Sequence, residues 1–261
     1  MNDQWTLEDG WNARPLRGEV ALVTGTLGGL GRAITTGIAA AGAKIAVHHM
    51  GQTDEALEYA NVLQAAGVET VVVEANLTNW QQTESMFKRI SSSLGDVSLL
   101  VNNAGMMRGK AFVDSSFDDW HETIDVDLNA VFTTTRLALP AMIRKGRGNI
   151  LMVSSQLAFK GAHDFVAYSA AKGGILGFTR ALSREVGPAI RVNAIAPGPI
   201  ATPMTASYAT PEWVAERTSG AVLRRLGTPD ELVSAVVFLA SPGATLMHGQ
   251  VLHLNGGGVM A

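Results

Sequence analysis

Short apolar runs recur along this chain, each followed by a stretch long enough for a helix, and that alternation leaves few folds open. The runs cover 20–24, 44–48, 70–74, 98–102, 149–154, 191–196 and 250–254. They are nearly continuous in apolar residues rather than alternating, the pattern of strands buried on both faces. Stretches 29–41, 53–66, 80–94, 117–145 and 168–186 lie between them and read as helices. Strands separated by helices pair in parallel, with the helices covering the sheet. The expectation is an α/β fold with a doubly wound, seven-stranded parallel sheet and helices on both faces. No linker, repeat or low-complexity tract interrupts the 261 residues. One domain is therefore expected over 18–261, after an N-terminal extension, 1–17. The extension carries Trp5 and Trp11, which read as part of a tail or as an arm packing on the body or on a neighbouring subunit.

Composition removes several function classes. A 47% hydrophobic and 16% charged chain carries enough apolar surface for a large core, which argues against disorder. Its 20 basic and 23 acidic residues leave a net charge of −3. The basic residues are scattered, so no footprint for nucleic acid or an anionic membrane arises. No apolar run reaches the ~18 residues of a membrane span. The absence of cysteine excludes disulfides, thiolate metal ligands and a cysteine nucleophile, and no metal site is expected. The first residues lack a basic region leading into an apolar one, so a cytoplasmic protein is expected.

Directly after the first strand comes Thr24-Gly25-Thr26-Leu27-Gly28-Gly29-Leu30-Gly31, which opens a helix. With 28 glycines in the chain, a cluster means little by itself; its position decides. Ligands of open parallel sheets bind at the carboxyl edge of the strands. There a glycine turn lets backbone N–H groups approach a pyrophosphate, and the helix N-terminus stabilises its charge. The fold is thus expected to be Rossmann-like and to bind a dinucleotide.

Tyr168 and Lys172 stand four apart, on one face of a helix. A free phenol has a pKa of about 10, and an ammonium within ~4–6 Å favours its ionised form. The pair is therefore expected to bring the tyrosine towards the pH at which proton transfer operates. Ser154 and Ser155 end the preceding strand. Side chains alternate along a strand, so only one of the two faces the cleft, where its hydroxyl could hydrogen-bond a reacting oxygen.

On these elements the chain resembles the short-chain dehydrogenase/reductase family, in its compact single-domain branch, and is similar to 3-oxoacyl-[acyl-carrier-protein] reductases. The likeness runs from about Glu19 to Gly257 and rests on the glycine loop, Asn102-Asn103-Ala104-Gly105, Ser155, Tyr168 with Lys172, and Pro197-Gly198. The resemblance implies an enzyme interconverting a ketone and a secondary alcohol with NAD(P)(H). Tyr168 is implied as general acid/base and Ser155 as the group polarising the substrate oxygen. Lys172 is implied to hold the nicotinamide ribose and lower the tyrosine pKa. Gly25, Gly29, Leu30 and Gly31 are implied for the pyrophosphate, with Asn76 and Leu77 beside the adenine. Asn103, Ala104 and Gly105 flank the adenosine-side ribose, and Pro197, Gly198, Ile200 and Thr202 lie by the nicotinamide. Asp127 stands where the family usually has asparagine. A main-chain role there tolerates the change, whereas a side-chain donor role does not.

His49 holds the position that usually selects the cofactor, and no acid stands there to repel a 2′-phosphate. NADP(H) is therefore favoured over NAD(H), without a basic residue to fix the choice. Ser155, Gln156, Leu157, His163, Tyr168 and Met204 are expected at the substrate, within walls that include Met106, Met107, Phe165 and Pro199. A lid is expected over 203–223, with Tyr208 and Trp213. These residues leave open a 3-oxoacyl thioester, a sugar or polyol, and also a regulator that binds the dinucleotide without turnover. Small residues on the helix from Tyr168, together with the resemblance, imply a homotetramer.

Overall fold

The computed structural model describes residues 14–261, so Trp5 and Trp11, read as part of a tail or an arm, lie outside the described residues. Seven strands form one sheet: β1 (Val20–Val23), β2 (Lys44–His49), β3 (Thr70–Glu74), β4 (Leu99–Asn102), β5 (Gly148–Val153), β6 (Ile190–Pro197) and β7 (Val251–Leu254). Their order is β3-β2-β1-β4-β5-β6-β7, and every neighbouring pair is parallel. The chain winds outward from β1 to β3, then returns to the other side of β1 through β4. That reversal opens a crevice at the carboxyl ends of β1 and β4. Val23 pairs with both Val47 and Val101, which brings Thr24, His48 and Asn102 to the same edge.

Ten helices are present among the described residues: α1 (Gly29–Ala40), α2 (Thr53–Ala65), α3 (Trp80–Leu94), α4 (Phe117–Ile124), α5 (Ala130–Lys145), α6 (Leu157–Lys160), α7 (Val166–Val186), α8 (Pro203–Ala206), α9 (Pro211–Thr218) and α10 (Asp230–Ala240). Strand alternation sends neighbouring side chains into two separate cores. Ala21 and Val23 pack with Ile34 and Ile38 of α1 and with Leu232 and Leu239 of α10. Val20 and Leu22 pack with Met86 and Ile90 of α3, Met142 of α5 and Ile175 of α7 on the opposite face. Leu16 is also in the first core, and its N–H donates to the Ala41 carbonyl at 2.9 Å. The packed body thus reaches back before residue 18.

One expected element is divided. The stretch 117–145 reads as a single helix in sequence, but Asp125–Asn129 forms a π-helical turn between α4 and α5. Such single-turn widenings concentrate at functional sites, and this one contains Asp127. No helix of the described residues is long and apolar enough to cross a membrane.

Candidate active site

The glycine loop is tied to the loop after β4 at the crevice. Asn103 Nδ2 donates to the Thr24 carbonyl at 2.8 Å, and the N–H groups of Asn103 and Ala104 both donate to Thr24 Oγ1 at 2.9 Å. This approach leaves no room for side chains. A Cβ on Gly31 would collide with the Gly25 carbonyl oxygen and lie 2.9 Å from Asn103 Nδ2, and one on Gly29 would lie 2.8 Å from Pro203 Cδ. Gly25 itself has φ +66°, a left-handed conformation that glycine adopts freely. The N-cap of α1 is Gly28, so no side chain caps the first-turn N–H groups. A bare backbone cradle at a helix N-terminus suits the diphosphate of a dinucleotide.

His48 supports this cradle. Its Nδ1 accepts the Gly25 N–H at 2.9 Å, and its Nε2 lies 3.1 Å from the Ala75 carbonyl oxygen. The two partners select the neutral tautomer with the proton on Nε2. Burial pushes the imidazole down to about 4, against the opposing bond to Ala75. His49, the residue expected to choose the cofactor, lines the same cleft and is buried, and its Nδ1 has no partner among the described residues.

Tyr168 and Lys172 lie one turn apart on α7, with Lys172 Nζ 5.6 Å from the Tyr168 ring centroid. The ammonium donates to the Val153 carbonyl at 3.2 Å and lies 3.4 Å from Asp127 Oδ1. Asp127 is fully buried, and its Oδ1 also accepts the Met106 N–H at 3.1 Å. Both contacts use the aspartate as an acceptor, so a carboxylate serves where a donor amide is not required. Its Oδ2 has no partner among the described residues. A Cβ on Gly105 would strike Asp127 Oδ1 and lie 3.2 Å from Lys172 Nζ, so the pair depends on a glycine there.

The two serines both line the cleft but differ in their hydrogen-bond partners. Ser154 Oγ donates to the Lys172 carbonyl at 2.8 Å, bracing α7 against β5. Ser155 Oγ accepts the Leu157 N–H at 3.1 Å and lines the cleft beside the phenol. Burial raises the Tyr168 pKa above its ordinary value, outweighing Lys172, while Asp127 raises it further and Ser155 opposes. The expectation that the ammonium brings the phenol down towards neutrality is therefore corrected: desolvation exceeds the single charge. Burial alone would depress Lys172, but Asp127 and Tyr168 together hold it above the usual lysine value. Burial raises Asp127 against the pull of Lys172.

A single cleft of about 670 Å³ gathers the expected groups. Gly25, Gly29, Leu30, Gly31, Asn76 and Leu77 line it. So do Asn103, Ala104, Gly105, Pro197, Gly198, Ile200 and Thr202, and Gln156, Leu157 and Met204 line the same cleft as Tyr168. Gln156 is buried with Oε1 unpartnered among the described residues, and a Cβ on Gly258 would lie 2.7 Å from it. His163 is the exception. It does not line the cleft; its side chain is 87% exposed and its Nδ1 lies 2.9 Å from Asp164 Oδ1. Asp164 has φ +69°, and the chain turns His163 outward there. Sequence reasoning missed His48, Gln52, Glu55 and Arg217, which also line the cleft. Arg217 had a usable signal, a cation four residues after Trp213 on α9.

A glycine cradle, a proton-bearing phenol and a buried ammonium in one crevice define a nicotinamide-dependent oxidoreductase of the α/β class. A family model described as enoyl-(acyl carrier protein) reductase matches residues 25–258. The 3-oxoacyl-[acyl-carrier-protein] reductase FabG of Aquifex aeolicus (strain VF5) is 36% identical over 244 residues, covering 93% of this chain and 98% of the relative. A solved structure assigned as a gluconate dehydrogenase from Agrobacterium tumefaciens aligns with a TM-score of 0.90 at 32% identity, covering 95% of this chain and 99% of that one. Another, assigned as an NAD(P)-dependent gluconate 5-dehydrogenase from Beutenbergia cavernae with bound NADP at low occupancy, aligns with a TM-score of 0.88 at 36% identity, covering 94% and 98%. The chain belongs to the short-chain dehydrogenase/reductase family. It is an NAD(P)-dependent enzyme acting on CH–OH and C=O groups.

Proposed function

We propose that Tyr168 transfers the proton, Ser155 polarises the substrate oxygen and Lys172 stabilises the phenolate, with NADP(H) preferred over NAD(H). The observation that carries this reading is the convergence of the three side chains on one cleft beside the glycine cradle. In reduction, the Tyr168 hydroxyl donates its proton to the carbonyl oxygen while Ser155 Oγ–H hydrogen-bonds the same oxygen. The phenolate left behind is stabilised by the Lys172 ammonium, which Asp127 and the Val153 carbonyl hold in place. The nicotinamide, when bound, supplies or accepts the hydride. The glycine loop would hold its diphosphate. A phenol kept above its ordinary pKa is protonated at neutral pH, which suits the donor role.

The NADP(H) preference is supported by the lack of an acid at the end of β2, where His49 stands, and by NADP in a solved relative. Glu55 borders the cleft from α2, but its carboxylate pairs with Arg32 at 3.4 Å. The relatives suggest two substrate classes for this chain, a 3-oxoacyl thioester or a sugar-derived alcohol. We further propose a cytoplasmic homotetramer with one catalytic domain per chain. The test is Tyr168→Phe, assayed with matched NADP(H) and NAD(H). General acid–base catalysis contributes roughly 10²–10⁴-fold, and turnover is expected to fall by that factor while fluorescence titration shows cofactor binding intact. Near-normal turnover in the variant overturns the assignment, and a strong preference for NAD(H) overturns the cofactor choice.

A further inference from the structure

Phe165 and Trp213 line the cleft together with Tyr168. Phe165 is buried and meets Tyr168 edge-on at 6.4 Å between centroids and Tyr208 at 6.2 Å; Tyr208 stacks on Trp213 at 6.2 Å. Against these rings α9 places a cation. The Arg217 guanidinium carbon lies 5.3 Å from the Phe165 centroid and 5.9 Å from that of Trp213. Arg217 lines the same cleft as Tyr168. Its Nε is buried without a hydrogen-bond partner, and no carboxylate forms a salt bridge with it among the described residues. The two carboxylates that border the cleft are engaged elsewhere, Asp127 with Lys172 and Glu55 with Arg32.

Ring faces hold a guanidinium in position through its flat surface, leaving the edge N–H groups for a ligand. A planar fork with an unused buried donor suits a carboxylate, which accepts two parallel hydrogen bonds. Phe165 touches both the Tyr168 ring and the guanidinium. The Tyr168 ring and the Arg217 charge are thus both neighbours of the one Phe165 ring, so a single small molecule in the cleft can meet both.

We propose that Arg217 anchors a carboxylate on the substrate itself, so that the enzyme acts on small hydroxy acids and oxo acids. This rests on Tyr168 as the proton-transferring group. The test uses the full-length enzyme with NADP+ and paired compounds: a six-carbon aldonate beside the polyol of equal length, and 3-hydroxybutyrate beside its methyl ester. The wild type is expected to favour the acid of at least one pair. Truncating one partner of a hydrogen-bonded charge pair costs roughly 30-fold or more. Arg217→Met is expected to collapse the acid-to-neutral ratio of kcat/KM by that factor, chiefly through KM for the acid. Arg217→Lys, which keeps the charge but not the fork, falls between. Equal use of both members of every pair, equal losses on both in Arg217→Met, or turnover of no acid at all overturns the proposal. Neutral compounds turned over in a Tyr168-dependent way would leave the proton-transfer reading standing; turnover that survives Tyr168→Phe would remove that reading instead.

Discussion

Asp127 sets the electrostatic balance around the phenol. It neutralises the charge that Lys172 presents to Tyr168, and its own charge raises both groups. Asp127→Asn keeps an oxygen for the Met106 N–H and removes the negative charge. The Tyr168 pKa is then lowered, because an unopposed ammonium favours the phenolate. For alcohol oxidation, where the phenolate is the base, the rising limb of kcat/KM is expected to move to lower pH, so that the ratio of the rate at pH 7 to that at pH 10 increases. A limb that stays in place or moves to higher pH removes Asp127 from this role. At this scale, legibility followed how local the chemistry is. Tyr168, Lys172 and the glycines could be read because one helical turn or one backbone turn fixes their relations. The energy balance on Tyr168 could not, since it depends on burial and on a carboxylate far away in sequence. His48 was hidden for a similar reason: only the pairing of Val23 with Val47 brings its ring under Gly25.

The elements were largely readable, and the exceptions share a cause. Continuous apolar strands at β1 to β7 and amphipathic stretches between them reflect burial on both faces, which the sequence must encode residue by residue. The π-helical turn over Asp125–Asn129 has no such periodic signature, because one extra residue in a turn barely changes which positions are apolar. The site draws on that turn: it lies between α4 and α5 and contains Asp127, which meets Lys172. That residues of 203–223 border the cleft was legible, but not how the segment is fastened. The Tyr208 hydroxyl accepts the Gly109 N–H and donates to the Met107 carbonyl, both at 3.3 Å. These bonds join segments about a hundred residues apart, a relation that side-chain spacing does not reveal. They also pin the segment between α8 and α9, whose Met204, Trp213 and Arg217 line the cleft.

For the whole molecule, the face that α5 and α7 present away from the sheet bears on assembly. Phe132 and Ile143 on α5 are 53% and 58% exposed. They stand eleven residues apart, close to three helical turns, and so share one stripe. On α7, Gly174 packs against Leu128, but a Cβ on Gly177 would meet nothing within 4 Å. The small-residue stripe is thus only partly explained by packing within the chain, and its open part lets another helix approach closely. We propose that this face joins two copies and that a second contact pairs the dimers. Light scattering on the purified protein is then expected to give about 110 kDa, four times the 27.5 kDa of one chain. Because the space at Gly177 is open, Gly177→Arg leaves the fold of a single chain undisturbed, with an unchanged circular dichroism spectrum. In the proposed assembly the bulky side chain enters the contact twice, since an isologous interface uses the same patch of both copies. The variant is expected to fall to about half the wild-type mass. A wild type that scatters as a single chain, or a variant that keeps four copies, rules out α7 as the contact.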